Sequence, residues 1–188
     1  GGRVRSRMGI AFPDSEVLLP ATTSKDLVDL RWGIDNSVDF IAISFVRDAS
    51  DILKLRHEIR KHGGDQRIIA KIERRSAVQN IESILDVSDG IMVARGDLGV
   101  ELPLETLPVI QRTLIQQANY RGVPVIVATQ MLHSMITSLR PTRAEVSDVS
   151  GAVMLGADAL MLSEETAIGE HPVEAVRYLS SIAMQAEQ

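Results

Sequence analysis

A chain of 188 residues, 45% of them hydrophobic, is long enough for one domain with a sizeable core. Its 20 Lys and Arg against 25 Asp and Glu leave a net charge of −5, which argues against a nucleic-acid surface; the lack of cysteine removes a disulfide framework and a thiolate zinc site and favours an intracellular setting. No apolar run approaches the roughly 20 residues that cross a bilayer, and the opening Gly-Gly-Arg-Val-Arg-Ser-Arg has no apolar signal-peptide core, so a soluble protein without membrane contact is expected.

Residues 1–20 carry Gly1, Gly2, Gly9, Pro13 and Pro20 among short apolar stretches and read as a lead-in of extended chain and turns, with the main domain over 21–188. Leu27, Leu30 and Ile34 recur at helical spacing after a cap at Ser24, and the apolar run over 39–45 has the length of a strand. Asp48 is suited to cap a helix through His62 that Gly63 ends; 67–73 reads as a strand and 76–87 as a helix. The next strand is 90–94. A helix over 104–120 ends near Gly122, a strand covers 124–128, and a helix over 141–155 has Pro141 near its first turn. A strand over 157–163 and a helix over 172–186 complete the series.

Five strands, each followed by a helix, at spacings that fit right-handed βα crossovers predict an α/β protein with a parallel sheet. The runs are apolar nearly throughout, as strands buried on both faces should be. An open doubly wound sheet and part of an eight-stranded βα barrel both fit this pattern, and periodicity does not choose between them.

Side chains alternate along a strand, so Lys71 and Glu73 share a face at the C-terminal end of theirs, where α/β enzymes place ligands. An isolated Lys-Ile-Glu is ordinarily a surface ion pair worth little. Neighbouring strands change that reading. The strand over 90–94 runs into a turn with Gly96 and Gly99 around Asp97, and a short helix starting there would offer free amides to a carboxylate or phosphate. The fourth strand ends in Thr129, and Ser163 and Glu165 share a face at the end of the fifth. Lys71, Glu73, Asp97, Thr129 and Ser163 thus converge on one rim, the pattern of a site. Carboxylates, hydroxyl and lysine without His or Cys ligands suit a hard cation such as Mg²⁺ or Mn²⁺ and disfavour zinc. None of the histidines His57, His62, His133 and His171 is assigned to metal, and Met154 and Met161 are expected in the core.

These residues lie in motifs that resemble the pyruvate kinase family across almost the whole chain: IIAKIE at 68–73, SDGIMVARGDLGVELP at 88–103, PVIVATQML at 124–132, PTRAEVSDV at 141–149 and ALMLSEETAIGEHPVEAV at 159–176. The flanks agree, residues 1–20 resembling the return from that family's lid domain and 39–52 its fourth barrel strand. The resemblance implies a parallel βα-repeat sheet corresponding to five strands of a TIM-type (βα)8 barrel. It implies that Lys71 contacts the transferred phosphoryl group and the enolate oxygen, and that Glu73 and Asp97 hold the divalent metal. It further implies that amides near Gly96 and Asp97, with Thr129, hold the substrate carboxylate, and that Ser163 and Glu165 join the network supplying a proton to the enolate carbon. The reaction implied is phosphoenolpyruvate plus ADP giving pyruvate and ATP, in a cytoplasmic, homo-oligomeric glycolytic parent. K⁺ is implied for that parent, with its ligands on strands that have no counterpart in this chain.

Three places depart from the family pattern. Glu164 stands where a small residue is common, His133 where an acidic one is frequent, and Ser150-Gly151 where Ala-Asn is frequent. With most of the lid and the cation ligands lacking a counterpart, the chain by itself is expected to turn over little and, with open strand edges, to associate. Two other readings use the same residues: metal-dependent pyruvate enolisation or oxaloacetate decarboxylation, and a truncated non-catalytic partner of a larger homologue.

Overall fold

The computed structural model describes residues 22–188, and the lead-in expected over residues 1–20 lies outside the described residues. Five parallel strands, β1 (Phe40–Ile43), β2 (Arg67–Ile72), β3 (Gly90–Ala94), β4 (Val125–Ala128) and β5 (Ala159–Met161), lie side by side in chain order. A doubly wound sheet reverses its strand order at a switch point, and these strands never do. Sequential order with right-handed crossovers carries every connecting helix over the same face, which bends the sheet into an arc of a TIM-type barrel.

The connecting layer is α1 (Ser24–Asp35), α2 (Ala49–Lys61), the short pair α3 (Arg75–Gln79) and α4 (Ile81–Leu85), α5 (Arg95–Glu101), α6 (Leu107–Arg121), α7 (Arg143–Met154), α8 (Glu164–Ala167) and α9 (Pro172–Ala186). Neighbours in this layer touch: α1 packs on α2, α2 and α6 on α4, and α7 on α9. Alternation along β2 shows which face the helices cover. Ile68, Ala70 and Ile72 are fully buried, whereas Ile69 and Lys71, pointing the other way, are partly exposed. Only the central strand β3 is buried along its whole length, so the expectation of strands buried on both faces holds there and fails on the outer strands. Ile52, Ile59, Ile84 and Leu114 from the helices meet Ile68, Ile72 and Ile91 from the sheet in one core.

Boundaries follow local chemistry. Thr23, one residue earlier than expected, caps α1 by accepting from the Asp26 amide, and the Asp26 carboxylate accepts in return from the Thr23 amide. Asp48 caps α2 as read, and Gly122 ends α6 in the left-handed region at φ 66°. The helix expected over 76–87 is broken at Asn80, whose amide side chain donates to the Arg47 carbonyl instead of lying along a continuous helix. The helix expected from Leu104 starts as a 3₁₀ turn, Leu104–Thr106, with Pro108 in the first turn of α6. That expected from Pro141 begins at Arg143, because Thr142 and Glu145 form a capping box. Met154, expected in the core, is the last residue of α7 and is exposed.

The N-terminal end of the sheet is tied by one device used twice. The Asp89 amide donates to the Ile68 carbonyl while its carboxylate accepts from the Ile68 amide at 2.7 Å; Asp158 does the same to Val125, at 2.8 Å. Asp89 also takes a 2.8 Å ion pair from Arg56. With that end spent on holding strands in register, the opposite end is free to carry chemistry.

Candidate active site

The first two strands end in a buried ion pair. Glu73 follows β2 on the same face as Lys71 and is 2% exposed. One of its oxygens lies 2.6 Å from Lys71 Nζ, and the other accepts from the Phe45 amide at 2.6 Å. Lys71 Nζ also donates to Ser44 Oγ at 2.9 Å. Phe45, at φ 55°, turns the chain sharply after β1, which stops the strand short of the expected 39–45 and aims this amide at Glu73. A bulky residue in the left-handed region costs on the order of 1–3 kcal/mol, offset here by a charge-assisted hydrogen bond to a carboxylate that would otherwise be underpaired.

The next two strands meet through Thr129. β3 runs directly into α5 at Arg95, two residues before the turn expected around Asp97, so Gly96 and Asp97 both stand in the helix's first turn. The Gly96 amide donates to Thr129 Oγ1 at 2.7 Å. Thr129 and Gln130, just past β4, both have positive φ, 72° and 55°. For β-branched Thr129 this is an unusual backbone that the surroundings must impose. Arg95 grips it: Nε and Nη2 donate to the Thr129 carbonyl at 3.2 and 2.8 Å, and Nη1 reaches Asp148 on α7 at 2.6 Å. The Asp97 side chain is exposed and makes no hydrogen bond or ion pair with the described residues.

At the fifth strand, Glu165 on α8 is 1% exposed. Its carboxylate accepts from the Leu132 amide at 3.1 Å and from the Ser163 amide at 2.8 Å, joining the turn after β4 to the end of β5. Nearby, Glu145 accepts from the amide and hydroxyl of both Ser134 and Thr142. Burial pushes its carboxyl up, but those four donors outweigh burial and hold it below the usual carboxylate range.

The residues read from the sequence are therefore brought together as three pairings: Lys71 with Glu73, Gly96 with Thr129, and Ser163 with Glu165. Among the described residues no group of three or more His, Asp or Glu side chains converges to hold a metal ion. Ser44, Arg95 and Asp148 escaped the sequence reading. Ser44 was findable as the polar residue closing the run FIAIS on the first strand; Asp148, in mid-helix, carried no signal.

The family description "Pyruvate kinase, barrel domain" matches residues 1–176. The pyruvate kinase of Thermotoga maritima is 48% identical over 188 residues, covering all of this chain and 40% of that relative. That of Geobacillus stearothermophilus is 52% identical, covering all of the chain and 32% of the relative. Pyruvate kinase PKLR of Rattus norvegicus is 52% identical, again over all of the chain and 33% of the relative. The chain thus spans 32–40% of the length of these curated relatives.

Proposed function

The chain belongs to the pyruvate kinase family through its barrel domain, and from that premise we propose that it carries the phosphoenolpyruvate side of an active site. In the whole protein that site would transfer a phosphoryl group from phosphoenolpyruvate to ADP, giving pyruvate and ATP in glycolysis. The observation that carries this reading is the Lys71–Glu73 pair, buried on its acidic side and held at a strand end by Ser44 and the Phe45 amide. An ammonium so aimed opposes the charge that develops on the phosphoryl and enolate oxygens, where a fixed cation contributes most.

The Thr129 hydroxyl already accepts from the Gly96 amide, so its own proton is free to be donated to the substrate carboxylate, beside the Asp97 amide of the helix's first turn. The Ser163 hydroxyl lies on the proton path to the enolate carbon, and Glu165 joins that network by fixing the Ser163 backbone. Glu73 and Asp97 offer the hard oxygen donors that Mg²⁺ or Mn²⁺ prefers, and two protein carboxylates suffice where substrate oxygens and water supply the remaining positions. When bound, such an ion would neutralise charge on the phosphoryl and enolate oxygens. K⁺, ADP, homo-oligomeric assembly and a cytoplasmic location belong to the same proposal for the whole protein. No helix of the described residues is long and apolar enough to cross a membrane. The relatives are kinases by name and lend no support to the readings as a decarboxylase or a non-catalytic partner.

The test is a Mn²⁺ titration in the presence of pyruvate or oxalate, comparing wild type with Asp97→Asn. Loss of one of two anionic ligands should weaken binding by about tenfold or more. Equal, specific affinity in both proteins would remove Asp97 from the metal site.

A further inference from the structure

The unusual backbone at Thr129 needs a cause, and the residues around it supply one. Two consecutive residues of α5 hold Thr129 from two sides: the Gly96 amide binds its side-chain oxygen, and the Arg95 guanidinium binds its carbonyl with two of its donors. Arg95 is largely buried and its remaining donors are committed, Nη1 to Asp148 at 2.6 Å and Nη2 to the Met131 sulfur at 2.9 Å. A planar fork tied at its far end to α7 has little freedom to follow Thr129 into another conformation. The carbonyl must therefore stay where the fork is, and that fixes the left-handed turn through Thr129 and Gln130.

We propose that Arg95 is a positioning residue: braced by Asp148, it holds the Thr129 turn so that the Thr129 hydroxyl stays on the Gly96 amide, with its proton directed into the site. The first half of this inference concerns the turn alone; the second half, what the hydroxyl then binds, rests on the substrate reading above. A lysine at position 95 would keep the charge and the reach but not the fork, so it should not substitute. A residue that merely added stability would leave the Gly96–Thr129 contact intact in every folded variant.

Hydrogen exchange measured by NMR on the ¹⁵N-labelled chain separates these cases. The Gly96 amide is compared with the Val93 amide of β3, which reports opening of the sheet itself. In Arg95→Met and Arg95→Lys, Gly96 should lose about tenfold of its protection relative to Val93, the worth of a charge-assisted hydrogen bond. Asp148→Ala, at a partly exposed helical position, should give a smaller loss in the same direction. In parallel, pyruvate affinity in the presence of Mn²⁺ should fall in Arg95→Lys. If wild type itself does not bind pyruvate, the substrate reading fails, while the exchange data still decide whether Arg95 holds the turn. Gly96 protection unchanged in both Arg95 variants overturns the proposal, as does full rescue by lysine. Should both Arg95 variants fail to fold, unchanged Gly96 protection in Asp148→Ala overturns it instead.

Discussion

Replacing Glu165 separates a structural clamp from a proton donor. Its carboxylate is 1% exposed and gives one oxygen to the Leu132 amide and the other to the Ser163 amide. Alanine leaves both N–H groups without an acceptor, at about 1–3 kcal/mol each, or roughly 2–6 kcal/mol together. The Ser163 amide is only partly buried and can recruit water, and the variant no longer carries the cost of burying a charge, so the lower half of that range applies: about 3 kcal/mol. Glutamine keeps one acceptor and turns an NH₂ toward the other amide, which should cost about 1–2 kcal/mol. Against a total of roughly 5–15 kcal/mol for a domain, both losses are large enough to read as a shift of the urea midpoint at unchanged slope. If Glu165 acted only in proton supply, both variants would keep wild-type stability. An alanine variant within about 0.5 kcal/mol of wild type, or glutamine costing as much as alanine, would refute the clamp.

Three further outcomes are expected. Lys71→Met leaves Glu73 buried beside an apolar chain; because Lys71 is 25% exposed and the Phe45 amide remains, the cost should be about 2 kcal/mol, below the value for a fully buried pair. Adding Glu73→Gln to it should recover at least half of that loss by urea denaturation, and no recovery would show that the two do not act as a pair. Glu145, held below its ordinary value near 4.5, contributes stability that is complete above that pH and is lost as pH falls through the lower folded value, so Glu145→Gln should flatten the acid side of the stability profile; an unchanged acid side would contradict this. Asp89→Ala removes an ion pair and a strand hydrogen bond at the N-terminal end and should cost about 1–3 kcal/mol in thermal or urea melts while leaving Mn²⁺ affinity unchanged, a change in affinity being the contrary result.

The order of strands and helices was legible because apolar runs bounded by Gly, Pro and capping residues recur at βα spacing, as the caps at Asp48 and Gly122 show. The choice between barrel and open sheet was not legible from periodicity, since both architectures bury the same apolar strands; it depends on the pairing order, which only the family motifs or the structure supply. Strand ends are not legible where backbone conformation overrides composition: Phe45 is a good strand residue by type, yet it sits at positive φ with its amide on Glu73. The site divides in the same way. Lys71, Glu73, Thr129 and Ser163 could be read because they close apolar runs in strand register. Arg95 could not, because a charged residue at a strand end is ordinarily solvated and only the fold reveals it buried against Thr129 and Asp148.

Two of the three places singled out in the sequence, His133 and Glu164, meet in the structure. Glu164 follows Ser163 directly, and His133 follows the Leu132 amide in the turn after β4. In the structure His133 Nδ1 lies 3.6 Å from Glu164 Oε2, so the turn after β4 and the start of α8 meet through these two side chains. Both side chains are more than half exposed, which limits the pair to at most about 1 kcal/mol and keeps its field short-ranged in salt. Glu164 therefore faces His133, whereas the oxygens of the next residue, Glu165, are taken by the Leu132 and Ser163 amides. Two adjacent glutamates in the first turn of one short helix thus take different tasks, Glu164 an exposed contact with His133 and Glu165 the tie between the turn after β4 and the end of β5.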